Sequence, residues 1–441
     1  MAGWQDQATG FYHTVFANDR WWLITPAGNP AFHTALSNAV LTWQYTPVTG
    51  RESMFAELPT SESFTGAWKN NVWGEQGQVS YVSFQIANMV RKYGDGWQDA
   101  ASALLLQRLG AFGMQGGGKW TPRIPNVPVT PVLSHSDVPN VARHPDIFDP
   151  AIVARLRGSL ARQIGADATN PFIIGWSVGN EYDEIVTTDE TQAMLALGAS
   201  APVKRALVDQ ALAALYGGDL GNLAAGWQIS AATAADAYAA VPHAPAADVE
   251  ALRQFFAGAY YQAIYQAVKS IDPDHLYLGF WIVPDWWVNA SDFRMIAANC
   301  DVIGIDYYQP KFLSAELDGL IREAGKPVLI GEFSFPAAYR GGRGFGSAGY
   351  SQNVTGSDAE SGDLYAQWLA DTSAYPYCIG VSWFECHDEP VSGRGPGSGP
   401  NLVYGEDYAF GLVDVADRPK YDLVERVRAA NLAALASLKL Q

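Results

Sequence analysis

The chain has 441 residues, 48% of them hydrophobic, enough to bury a large core as a single domain over residues 1–441. Its formal net charge of −17 argues against a nucleic-acid partner, because phosphate backbones demand Lys and Arg clusters, and it disfavours a polyanionic substrate. No uninterrupted apolar stretch is long enough to span a bilayer and the amino terminus carries no leader pattern, so no membrane partner is expected.

The native compartment stays open, as does the oligomeric state. Aromatic residues make up 12% of the chain, more than a core requires, and exposed rings suit the apolar faces of sugars. The three cysteines, Cys300, Cys378 and Cys386, show neither a disulfide framework nor zinc spacing, and the first two read as inert buried thiols.

In chain order, residues 21–36 read as two strands joined by a turn on Pro26, Gly28 and Pro30, the second arm serving as a first barrel strand. Residues 37–71 lack a clean period and are expected to form a long loop with short helices over one barrel face. Helices are expected over 81–93 and 97–109, and a second strand over 109–114. Gly116, Gly117 and Gly118 then read as a flexible loop, since they lack the spacing of a nucleotide fingerprint. A third strand spans 127–133 and ends in Ser134-His135-Ser136-Asp137, and a helix over 151–164 has Asp149 as cap and Pro150 in its first turn.

The fourth strand, 171–181, is an apolar run ending in Asn180-Glu181. An Ala-rich stretch over 187–271, broken near Gly217-Gly218, is expected to be a helical hairpin inserted over the mouth, not a separate domain. Strands over 276–282, 301–308, 327–332 and 378–384 complete a count of eight, and a helix over 422–438 follows. Alternation of eight strands with helices predicts an α/β fold, a (β/α)8 TIM barrel with elaborated mouth loops at 341–349 and 393–399.

Such barrels place their chemistry at the carboxyl ends of the strands. Glu181 ends the fourth strand and Glu332 the seventh, on opposite sides of the mouth, where an ionised group is costly unless used or paired. Two carboxyl groups facing across a sugar suit a retaining glycosidase. Glu181 is expected to be the acid/base, its pKa raised by apolar walls and the neighbouring carboxylate, and Glu332 the nucleophile. Asn180 is expected to hydrogen-bond the sugar 2-hydroxyl. Asp183 and Glu184 read as caps of the next segment.

The Asn-Glu pair on strand four and Gly331-Glu332 on strand seven resemble the clan of retaining (β/α)8 glycosidases. Finer features are similar to exo-β-agarases and related β-galactoside hydrolases. These are the stretch from Trp22 to Pro30, Pro145-Asp-Ile-Phe-Asp-Pro150, the segment from Leu215 to Trp227, and Phe410-Gly-Leu-Val-Asp414. The resemblance implies that Tyr308, ending strand six, hydrogen-bonds the nucleophile, and that Trp383 on strand eight is a sugar platform. The chain departs from that pattern at Asp306, where an amide is usual, and at Phe112-Gly113, where Asn-Thr is expected; Asp306 is taken as a sugar contact.

Further substrate-contact candidates are His135, Trp281, Glu385 and His387, with Trp286 and Trp287 as possible platforms. Cys386-His387-Asp388-Glu389 superficially resembles a metal cluster, but consecutive residues point in different directions, so no metal is expected. No cofactor is expected either. The sequence thus predicts a retaining hydrolase of β-linked, galactose-containing, agarose-type oligo- or polysaccharide. The alternatives are a β-galactosidase, β-mannosidase or β-glucanase of the same clan, or a non-catalytic carbohydrate-binding barrel.

Overall fold

Among the residues described by the computed structural model (4–39, 44–64, 66–72, 75, 77–284, 288–337, 354–394 and 406–438), eight short parallel strands carry the fold. They are β1 (His33–Leu36), β2 (Gly116–Gly117), β3 (Val132–Leu133), β4 (Gly175–Val178), β5 (Leu276–Tyr277), β6 (Ile303–Asp306), β7 (Val328–Phe333) and β8 (Cys378–Trp383). One sheet has the order β6-β7-β8-β1-β2 and the other β5-β4-β3. Backbone hydrogen bonds link the two: Gly117 N donates to Pro128 O at 2.8 Å beside β3, and Ile282 N donates to Gly304 O at 3.1 Å between β5 and β6.

Alternating side chains of these strands enter different cores, as the two-residue period of a strand requires. Tyr277, Ile303, Ile305, Val328 and Ile330 pack in the large cluster shared with the helices. Leu276, Leu278, Val302 and Leu329 join a second cluster with Trp281, Ile174 and Ile379. That inner cluster is closed at one end by Tyr12 and Leu23 of an amino-terminal hairpin, His13–Ala17 against Arg20–Ile24. Asn18 and Asp19 turn the hairpin with φ of 52° and 59°, a conformation both residues tolerate. Trp21 N donates to Pro376 O just before β8, so the hairpin sits at the amino ends of the strands and leaves their carboxyl ends open.

Helices join the strands. Pro150–Ile164 has Asp149 as its N-cap, accepting from Ala151 N at 2.8 Å, and Pro150 in its first turn. The final helix is Tyr421–Leu438. The 187–271 stretch is helical but not a hairpin. It contains Thr188–Leu195, Pro202–Gln210, Leu220–Gly226, Ala234–Ala239 and the 26-residue Ala246–Ile271, which leads directly into β5. The expected break is present, with φ of 61° and 83° at Gly217 and Gly218. Among the described residues, no helix is long and apolar enough to cross a membrane.

Three local expectations are corrected. The expected second strand over 109–114 is instead the end of helix Trp97–Phe112, which buries Leu105, Leu109 and Phe112 and stops at Gly113, in the left-handed region at φ 70°. A short apolar run does not distinguish a buried helix from a buried strand. The glycines expected as a flexible loop are packed: a Cβ on Gly116 would lie 2.4 Å from Pro128 O, and one on Gly118 would lie 2.4 Å from Ser37 Oγ. The region expected as a long loop contains two strands of an antiparallel sheet, Thr46–Pro47 and Trp68–Asn70, paired to Ser80–Val82, so the following helix begins only at Phe84. The runs 341–349 and 395–399 lie outside the described residues. All three cysteines are free and buried, and burial pushes each thiol up to about 12.

Candidate active site

Glycines make room for the site before any polar group enters it. A Cβ on Gly331 would lie 2.4 Å from the Trp281 ring and 2.7 Å from Asp306 Oδ1, and one on Gly304 would lie 2.8 Å from the same ring. The fully buried Trp281 therefore fills the space inside β6 and β7, with its indole N–H donating to Ser177 Oγ on β4 at 2.6 Å. It is a floor beneath the site, and it does not line the cavity above.

At the carboxyl end of β4 the chain bends sharply. Gly179 has φ 65° and Glu181 φ 53°, an uncommon value for a residue with a side chain. The bend is held by Gly179 N donating to Leu133 O at 2.9 Å and Glu181 N to Phe280 O at 3.0 Å. It directs Glu181 into a cavity of about 310 Å³ that Asn180, Tyr182 and Asp183 also line. Across the cavity stands Glu332, near the end of β7 and paired in register with Asp306 on β6. Glu181, Asp306 and Glu332 each bring a carboxylate oxygen within 4.8 Å of the others.

Glu332 is held by three donors. Tyr308 Oη donates to Oε2 at 2.7 Å, Trp120 Nε1 donates to Oε1 at 3.3 Å, and the Lys119 ammonium lies 2.8 Å from Oε1. The same ammonium donates to Asn180 Oδ1 at 2.6 Å and to Asp306 Oδ2 at 2.5 Å. Lys119 is fully buried, and burial alone works against its charge. The carboxylates of Asp306, Glu332 and Glu181 outweigh burial and raise its pKa, so the ammonium persists as the cation of this cluster. Burial pushes Glu181 upward, the Glu332 charge adds to it, and Glu181 reaches about 7 despite the opposing pull of Lys119.

The remaining wall is aromatic and polar. Phe384, Phe410, Trp120 and Tyr308 form one face, and Asn38, Arg394 and Glu406 close the rim. Lys119, Trp120, Asn38, Phe384, Phe410, Arg394 and Glu406 were not among the residues expected from sequence. Trp383, expected as a platform, is fully buried; its indole N–H donates to Phe410 O at 2.8 Å, and its ring packs against Phe333 and Tyr365. Phe384, the next residue, takes the place at the cavity.

Three other substrate-contact candidates, His135, Glu385 and His387, lie away from the cavity surface. His135 is buried, with Nε2 3.1 Å from Glu184 Oε2 and 2.9 Å from Tyr260 Oη. Glu184, expected as a cap, is buried in that trio, and the cap of helix Thr188–Leu195 is Thr187. Glu385 is fully buried beneath Asn38, which donates to it, as does Gln44 at 2.6 Å. His387 faces Asp417 at 3.7 Å, Asp388 pairs with Lys420, and Glu389 lies 3.2 Å from Arg394, so these neighbours do not converge on one point. Trp286 and Trp287 lie outside the described residues.

No family model matches the chain. Two curated relatives from Vibrio sp. (strain JT0107) align along nearly all of it: β-agarase A is 27% identical over 94% of this chain, and β-agarase B is 25% identical over 97%. The matches take in 45% and 49% of those proteins, so the chain spans about half the length of the curated relatives it matches. Among solved structures, an exo-β-agarase superposes with a TM-score of 0.83 at 22% identity, covering 100% of this chain and 66% of that one. The agarase AgWH50C gives 0.82 at 23% identity, covering 100% and 67%. The chain is similar in sequence to β-agarases, and its mixed α/β fold is that of the solved agarase structures.

Proposed function

We propose that the chain is a retaining glycoside hydrolase that cleaves β-linked galactose in agarose-type oligo- or polysaccharide, with residues 1–441 acting as one catalytic unit on a closed (β/α)8 barrel. The observation that carries the reading is the approach of Glu181 and Glu332 oxygens to within 4.8 Å across the mouth. Retaining pairs stand roughly 5–5.5 Å apart, whereas inverting pairs leave about 6.5–9.5 Å for a water. Hydrogen bonds from Gly117 and Ile282 across the two sheet junctions support closure.

Glu181, raised to about 7, holds a proton near neutrality and gives it to the leaving glycosidic oxygen. Glu332, held by Tyr308, Trp120 and Lys119, attacks the anomeric carbon and forms a glycosyl ester. Water then attacks the same carbon, Glu181 takes its proton, and the ester bond to Glu332 breaks. Asn180, with its carbonyl fixed on Lys119, keeps its amide N–H groups for the sugar 2-hydroxyl. Trp120, Phe384 and Phe410 offer faces to the sugar ring.

The agarose-type substrate rests on the similarity to β-agarases. A product profile on agarose, neoagaro-oligosaccharides and aryl β-glycosides tests it. The reading expects galactose-containing β-linked substrates to be cleaved; retention of oligosaccharide with no cleavage of any β-glycoside would favour a binding protein instead.

A further inference from the structure

We propose that Lys119 is a positioning residue of this site: its ammonium ties Asn180, Asp306 and Glu332 together and sets a positive charge against the oxygen of Glu332, the proposed nucleophile. The proposal rests on the glycosidase reading above and deepens it.

The geometry is specific. A fully buried ammonium has three donors, and here they meet three acceptors from three different strand ends: Asn180 at 2.6 Å after β4, Asp306 at 2.5 Å on β6 and Glu332 at 2.8 Å on β7. Below the ammonium lies the Trp281 ring, its centroid 5.3 Å away, and beside it the Trp120 ring at 5.8 Å, so the cation stands on π faces where it is not held by oxygen. The backbone is shaped to deliver this side chain: Gly116, Gly117 and Gly118 pack too tightly for a Cβ, and the following strand end carries Lys119 into the centre.

The charge balance gives the arrangement a chemical consequence. Glu181, Asp306 and Glu332 crowd within 4.8 Å, and three like charges in a buried site repel one another strongly. Lys119 is in contact with two of them. The other groups acting on the cluster are the Tyr308 hydroxyl on Glu332, and Asp183 and Glu406 acting on Glu181. Arg394, at the rim, is engaged by Glu406, Glu389 and Glu385 and leaves Lys119 as the cation at the centre. Without that ammonium, the carboxylates of the cluster would face one another with no cation between them, an arrangement that favours placing a proton among them.

The test is a set of kcat/KM pH profiles on the full chain. Lys119→Met should lower kcat/KM by about 100-fold and move the acid limb upward by about one pH unit, since an opposite charge at this range shifts a carboxyl by roughly 1–3 units. Asp306→Asn should move the limb downward, and Lys119→Met/Asp306→Asn should return it toward the wild-type position. A merely structural lysine would lower activity without moving the limb. Titration of 13C-glutamate-labelled protein reads the same cluster without substrate, and a glutamate carboxyl should titrate later in Lys119→Met and earlier in Asp306→Asn. Unmoved limbs and titrations in both single variants would overturn the role of Lys119. Failure of the wild-type chain to cleave any β-glycoside would overturn the glycosidase reading itself, whereas full activity in Glu332→Gln would overturn only the role of Glu332 as nucleophile.

Discussion

Tyr308 Oη donates a 2.7 Å hydrogen bond to Glu332 Oε2, across from the oxygen that meets Lys119 and Trp120. The phenol fixes one oxygen of the carboxylate and leaves its orientation toward the cavity determined. Removing the hydroxyl in Tyr308→Phe takes away one hydrogen bond to a charged group, worth about 1.5–3 kcal/mol. The expected result is a fall in kcat/KM of roughly 10–150-fold, with the melting temperature little changed. Steady-state kinetics with a thermal melt checks it; unchanged kinetics would remove Tyr308 from the mechanism.

The position of Glu181 makes a pH prediction. In the proposed mechanism its acid form is the proton donor, and burial together with Glu332 places that ionisation at about 7. Activity requiring the protonated form is present below that value and is lost as pH rises through it. The basic limb of kcat/KM should fall near pH 7 and vanish in Glu181→Gln when a substrate with an activated leaving group is used. A limb that persists in Glu181→Gln would assign it to another group.

The two glutamates should be separable by chemical rescue. With an activated β-glycoside, azide should restore turnover to Glu181→Ala and give a β-configured glycosyl azide, because the ester on Glu332 still forms. In Glu332→Gly, azide should enter where the carboxylate was lost and give the α-configured product. Exchange of these two stereochemical outcomes would reverse the assignment of roles.

Behind the cavity, Gly179 and Glu184 carry a stability prediction. A Cβ on Gly179 would sit 2.0 Å from Glu184 Oε1, at a φ of 65°, so Gly179→Ala must displace either the bend that carries Glu181 or the buried carboxylate. Burial opposes the charge on His135, but Glu184 outweighs it and raises the pKa above its ordinary 6.5. Burial likewise opposes ionisation of Glu184, yet His135 and Tyr260 lower it below 4.5. His135 contributes its share fully below 6.5 and loses it as pH rises through the raised value; Glu184 contributes above 4.5 and loses it as pH falls through the lowered value. Glu184→Gln should therefore cost about 3–5 kcal/mol, with the largest loss between pH 4.5 and 6.5. Denaturant titrations across that range check the window.

The strand-end logic made Glu181 and Glu332 legible because each terminates an apolar run, and the structure places both at one cavity. The same logic applied to Gly116–Gly117 points to Lys119, but the preceding apolar run 109–114 has the stronger strand signature. That displaces the expected strand end by several positions. His135 and Trp383 lie off the cavity surface for a different reason. A residue at a strand end points inward or outward according to the local bend, and sequence does not reveal which, so Trp383 enters the core while Phe384 faces the cavity. Asn38 meets the bridged pair Arg394 and Glu406 from the far end of the chain, and no local pattern announces such a meeting.

The central claim is that Glu181 and Glu332 cleave a β-galactosidic bond with retention. Proton NMR of the wild-type chain acting on neoagaro-oligosaccharides reads the anomer released first, before mutarotation. The account predicts that the β-anomer of the new reducing-end galactose appears first; the α-anomer first, or no cleavage at all, would contradict it.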